Sequence, residues 1–102
     1  MYVVLNVLDV TPDKKDAVAE KFILSSEKMK QIPGCVEFQF LSSPTEGKQV
    51  VYTKWESEQD YQRWKNSEEF QTDHERRHRV GITASKSTIE TYNVVYEGRY
   101  RH

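Results

Sequence analysis

His74-Glu75-Arg76-Arg77-His78 is the stretch whose residue types most openly invite chemistry. It spells the H-E-x-x-H of zinc peptidases, in which two histidines one helical turn apart hold the metal and the glutamate serves as general base. The likeness runs on to Gly81, as in the longer H-E-x-x-H-x-x-G-x-x-H pattern, and stops there, because the third ligand position is Ala84. Catalytic zinc needs three protein ligands and an open water position, and nothing fixes His102, the last residue, beside the other two. Such helices usually pack their x positions into a core, whereas here those positions are Arg76 and Arg77. A polar helix end accounts for the arginines and leaves His74 without a role.

Two further residues are hard to assign to packing alone. Asn6 interrupts an otherwise apolar strand, and an amide there must find partners or cost a few kcal/mol. It is either bonded to neighbouring backbone or water, or it is a donor aimed into a cavity. Trp64 follows a strand that ends in Trp55 and reads first as a core aromatic. His74, as a neutral imidazole, is a ready axial ligand for iron, although a single helical histidine is more often a surface residue. Cys35, the only thiol, lies beside Val36 and Phe38 and reads as a small buried hydrophobe with no chemistry of its own.

The chain has 102 residues, which suits one domain over 1–102 and is too short for a peptidase with its own substrate cleft. Fifteen Lys plus Arg against sixteen Asp plus Glu give a net charge of −1, so no global field draws in nucleic acid or an anionic membrane. Neither is expected as a partner. A lone cysteine, no signal-peptide plan after Met1 and no bilayer-length apolar run lead to the expectation of a soluble, cytoplasmic protein.

The elements that must position these residues follow from periodicity and punctuation. Residues 2–10 are β-branched and apolar on both alternating faces, with Tyr2, Val4, Asn6, Leu8 and Val10 on one and Val3, Leu5 and Val7 on the other, as in a strand covered on both sides. Thr11-Pro12 supplies an N-cap and a first-turn proline. Val18, Phe22, Ile23, Met29 and Ile32 mark the stripe of a helix to about Gln31, which Pro33-Gly34 ends. Residues 35–41 and 49–55 alternate as strands around a hairpin loop. Ser57 with Asp60 resembles a capping box and starts a short helix carrying Tyr61 and Trp64. Asn66-Ser67 breaks it and caps a second helix through Phe70, His74 and His78; a loop over 81–86 leads to a last strand over 87–96.

Strand, helix, strand, strand, helix, strand is the order of the ferredoxin-like α+β fold, with an antiparallel sheet covered on one face by helices. The second face of the first strand remains apolar, and the economical way to cover it is a second copy packed sheet to sheet, giving a homodimer with a shared α/β barrel.

With its Asn inside the first strand (VLNVLDV), the IPGCVEFQFL turn and strand, the TKWESEQDYQRWKNSEEFQTDH block and a final strand, the chain resembles the IsdG-type haem-degrading monooxygenases of the antibiotic biosynthesis monooxygenase superfamily, whose members are dimeric ferredoxin-like barrels. The step from Trp64 to His74, with S-x-x-F between them, matches the family's spacing of its catalytic Trp and its haem-ligating His. The resemblance implies that His74 ligates the haem iron on one side. It implies that Asn6 donates a hydrogen bond toward the opposite face, to steady dioxygen there. Trp64 would press its indole on the macrocycle and ruffle it. All three are needed because oxidation of the porphyrin edge requires reduced iron, a positioned oxygen and a deformed ring. Haem is then substrate as well as cofactor, O2 is consumed, and electrons come from an external donor or reductase.

Arg76, Arg77, His78 and Arg79 offer cations for the propionate edge, or else form a solvated basic helix end. Phe22 and Phe70 line the pocket or belong to the core. Asp73 departs from the family's usual small residue before the histidine. Two other readings stay open: cofactor-independent oxidation of quinols or polycyclic aromatics on the same scaffold, which does not need His74, and a haem-binding carrier without turnover.

Overall fold

The computed structural model describes residues 1–67, 70 and 86–101. The strands are β1 (Tyr2–Asp9), β2 (Cys35–Ser42), β3 (Lys48–Trp55) and β4 (Lys86–Asn93), and the helices among the described residues include α1 (Lys15–Met29) and α2 (Glu58–Lys65). The sheet order is β2-β3-β1-β4 with every neighbour antiparallel. This is the ferredoxin-like arrangement expected from the element order. In one chain the sheet is open, with β2 and β4 at its edges.

Strand parity decides which side chains meet the helices. Tyr2, Val4 and Leu8 point to the helical layer and are buried, whereas Val3, Leu5 and Val7 on the second face are half-buried. One end of that second face is covered by the chain itself. Residues 94–101 leave the sheet after Val94 N–H donates to Met1 O, and Glu97 then pairs with Lys54, which is 2% exposed. The last strand therefore ends at Asn93 instead of running to 96: Asn93 already faces Tyr2, the first residue of β1, and the ladder has no further partner.

The start of the first helical segment also differs from the sequence expectation. Pro12–Lys14 form a single 3-10 turn before α1, and Thr11 makes no side-chain cap. Its hydroxyl bonds instead to the Asp13 carboxylate, and that bond, followed by Asp13's own backbone N–H, holds the carboxyl below its usual range. Along α1 the inward stripe is Val18, Phe22, Ser25 and Met29, and Ile23 lies outside it with 61% exposure. One residue beyond Phe22 is about 100° around the helix, enough to leave the core face.

Gly34 has φ +88°, in the left-handed region that glycine enters without cost, and a side chain there would strike Asp60 of α2. Its carbonyl accepts from Glu56 N–H at 2.9 Å, so this turn joins the end of α1, the end of β3 and the start of α2. The expected cap of α2 is present: Ser57 Oγ accepts from Asp60 N–H at 3.2 Å and donates to Asp60 Oδ2 at 2.8 Å. Asn66 closes α2, Phe70 is helical, and its N–H donates to Ser67 Oγ at 3.2 Å, as expected of a second cap.

Candidate functional site

Between the helical side of the sheet and the helices lies a cavity of about 110 Å³. The sheet contributes Val4 and Asn6 of β1, Phe38 of β2, Val51 and Thr53 of β3 and Ile89 of β4. Phe22, Ser25, Lys28 and Met29 come from α1, Ile32 from the turn after it, and Tyr61, Trp64 and Phe70 from the second helical region. Asn6, Phe22 and Trp64, singled out from the sequence, thus face one space. His74, Arg76, Arg77 and His78 lie outside the described residues.

One wall of the cavity is aromatic. Trp55 is fully buried and sets the base of the cluster, with its ring centre 5.4 Å from that of Trp64 and 5.7 Å from that of Tyr61. Its Nε1–H donates to Thr53 Oγ1 at 2.9 Å, and Thr53 Oγ1 in turn donates to Val4 O at 3.5 Å, which ties the indole to the sheet. Phe70 meets Trp64 edge to face at 4.6 Å between centres. Rings held edge to face or tilted at these separations gain from their quadrupoles beyond simple burial, so the Trp64 plane is fixed from two sides while one surface faces the cavity. Phe22 stacks on Phe40 of β2 at 5.2 Å and 16°.

The polar equipment is sparse. Tyr61 is buried, and burial first and the neighbouring Tyr2 second push its phenol up, so it remains neutral at physiological pH. Burial also raises the Cys35 thiol, against a smaller opposing bond to Glu37 O, which agrees with an unreactive cysteine. Lys28 is the charged side chain among the described lining residues. Asn6 Oδ1 accepts from Ser87 Oγ at 3.1 Å. Its amide nitrogen donates to none of the described residues, and Asn6 lines the cavity.

Sequence reasoning missed Lys28, Ser25 and Ser87. The first two carried a signal, because Phe22, Ser25, Met29 and Ile32 recur at helical spacing and Lys28 borders that stripe. Ser87 carried none: its nearness to Asn6 depends on the pairing of β1 with β4, which the sequence does not print. Among the described residues no three His, Cys, Asp or Glu converge to hold a metal ion, and no helix is long and apolar enough to cross a membrane.

The model of the antibiotic biosynthesis monooxygenase family matches residues 1–76. Among solved structures, the heme-degrader MhuD from Mycobacterium tuberculosis, with two hemes bound in its active site, aligns with a TM-score of 0.82 at 23% identity, covering 97% of this chain and 100% of that one. A mutant of MhuD with two manganese protoporphyrin IX bound per active site gives 0.83 at 24%, covering 98% and 100%. An antibiotic biosynthesis monooxygenase gives 0.74 at 17%, covering 94% and 100%. Comparison with curated proteins finds no match. At these identities the structural likeness speaks to the fold, and the family model, which spans most of the chain, speaks to descent: this chain belongs to the antibiotic biosynthesis monooxygenase family.

Proposed function

We propose that this member of the family is a haem-degrading monooxygenase that binds haem at a site of which the cavity bounded by Asn6, Phe22 and Trp64 forms one wall. The observation that carries the reading is the meeting of Asn6 and Trp64, far apart in sequence, on one aromatic-walled cavity. The described walls suit a flat apolar macrocycle with an anionic edge: ring faces from Trp64 and Phe22, an amide N–H from Asn6, and a cation from Lys28. When bound, haem supplies the redox-active iron and is also the substrate whose ring is opened.

By the family resemblance His74 would hold the haem iron, and Arg76, Arg77 and His78 would offer cations to its propionates. Trp64, backed by Trp55 and Phe70, would bear on the face of a bound ring and distort it. Asn6 would donate a hydrogen bond to an acceptor atom in the cavity. The largely apolar lining would favour a ligand over water in this space. O2 and an external electron donor or reductase would complete the reaction. The half-buried Val3, Leu5 and Val7 face, flanked by Leu41 at 44% and Tyr92 at 53% exposure, suits a second copy packed sheet to sheet as a homodimer in the cytoplasm. A second reading, cofactor-independent oxidation of a quinol or polycyclic aromatic, has the same aromatic walls in its favour and needs no His74.

Haemin titration of the pure protein separates these readings. The expected result is a shifted Soret band that bleaches when ascorbate is added in air, with ligation and bleaching both lost in His74→Ala. A shifted band that survives ascorbate indicates a carrier. No shift, with quinol oxidation intact in His74→Ala, establishes the cofactor-independent enzyme instead.

A further inference from the structure

Along α1 and into the turn after it, positions 18, 22, 25, 29 and 32 recur at alternating steps of four and three, the spacing of a helix stripe turned to the core. Val18, Phe22, Met29 and Ile32 fill that stripe with hydrocarbon, each packed into one of the two core clusters. Ser25, in the middle of the stripe, is polar and half-buried. Its hydroxyl donates to Lys21 O at 3.1 Å, one turn back on the same helix. For the helix this choice is unfavourable on three counts. Serine is a poorer helix former than leucine, a hydroxyl bonded to the i−4 carbonyl slightly destabilises the helix, and the apolar contact open to the other stripe positions is forgone. A local rule broken at one position of an otherwise consistent pattern is expected where a site requires it.

What the serine leaves is space. Phe22, Ser25 and Met29 all line the cavity of about 110 Å³, and Ser25, its hydroxyl folded back on the helix, is the smallest side chain of that lining. We propose that Ser25 is a specificity-determining residue for ligand bulk. It keeps the α1 side of the cavity open, so that a ligand can seat between Phe22 and Met29, where a larger side chain would stand in its way. The open space is a property of the chain itself; its service to haem rests on the haem reading above.

Ser25→Ala and Ser25→Leu form a graded pair, and both replacements favour the helix. In the ligand-free protein Ser25→Leu should raise the melting temperature by about 4–8 °C, as when a side chain fills space that already exists. Xenon enters apolar cavities. Under xenon pressure the methyl resonances of Val4, Val51 and Ile89 should shift in the native protein and stay still in Ser25→Leu. Haemin affinity should fall with bulk, Ser25→Leu losing about ten- to a hundredfold, the penalty of crowding a filled space, and Ser25→Ala far less. A gain in stability joined to a loss of ligand separates exclusion by bulk from damage to the fold.

A lower melting temperature in Ser25→Leu, or native methyls that ignore xenon, overturns the open space. Equal haemin affinity in the native protein and Ser25→Leu overturns the part Ser25 plays in ligand choice. Equal losses in Ser25→Ala and Ser25→Leu overturn it as well, because they assign the effect to the hydroxyl. Failure of the native protein to bind haemin overturns the haem reading and leaves the open space to be decided by the melts and xenon.

Discussion

Asn6→Ala should slow ascorbate-driven bleaching of bound haem by about a hundred- to a thousandfold, the loss typical when one preorganised donor is removed from a developing negative charge. The affinity for haemin should stay within a few-fold of the native value. The asymmetry follows from where the residue stands. Asn6 contributes one amide to a wall otherwise made of Val4, Phe22, Trp64 and other apolar groups, so most of the contact that retains a flat ligand survives the change. What disappears is the amide that this reading sets against the developing charge. Stability should change little, because the bond given up joins Asn6 to an exposed serine and is worth about 1 kcal/mol. Parallel Soret titrations and bleaching rates check the expectation. Loss of binding in step with activity would mean that Asn6 holds the ligand rather than acting on the reaction.

Trp55→Ala should have the largest effect on the fold. Trp55 is 0% exposed and touches both Tyr61 and Trp64, and its Nε1–H is bonded to Thr53. Truncating a buried Trp costs about 3–5 kcal/mol, a large share of the roughly 5–15 kcal/mol that holds a domain of this size together. The melting temperature should fall by about 15–30 °C. Trp64→Ala, at the half-buried rim of the same cluster, should lower it by much less while abolishing haem turnover. Trp55→Phe retains a ring against Tyr61 and should melt between the native protein and Trp55→Ala. Thermal melts followed by circular dichroism test the order; equal melting of Trp55→Ala and Trp64→Ala would show that Trp55 is not the anchor of the aromatic wall.

The site was legible in the sequence where it depends on local rules. Period-two alternation placed Asn6 on the same side of β1 as Tyr2, Val4 and Leu8, which is the helical side. The Ser57 cap started the helix that carries Trp64, and helical spacing placed Phe22 in line with Val18 and Met29. What stayed hidden depends on register and on contacts between distant segments. Ser87 reaches Asn6 only through the β1–β4 pairing. Lys54 looks like a solvent-facing strand residue until the chain after β4 crosses over it and supplies Glu97. Thr11 has the type of a helix cap, but a nearby carboxylate, Asp13, competes for its hydroxyl. Ile23 fits a loosely drawn apolar stripe and turns outward because the stripe that meets the sheet is narrow.

The account stands on haem occupying the space between the Asn6 amide and the Trp64 indole. Gallium protoporphyrin IX, a diamagnetic stand-in for haem, places that space directly in 15N-resolved NMR through the ring current of the macrocycle. The account predicts large shifts at the Asn6 side-chain amide and the Trp64 Nε1–H, with Trp55 Nε1–H, shielded behind Trp64, moving far less. Shifts confined to the second face of the sheet, at Val3, Leu5 and Val7, with Asn6 and Trp64 unmoved, would contradict it.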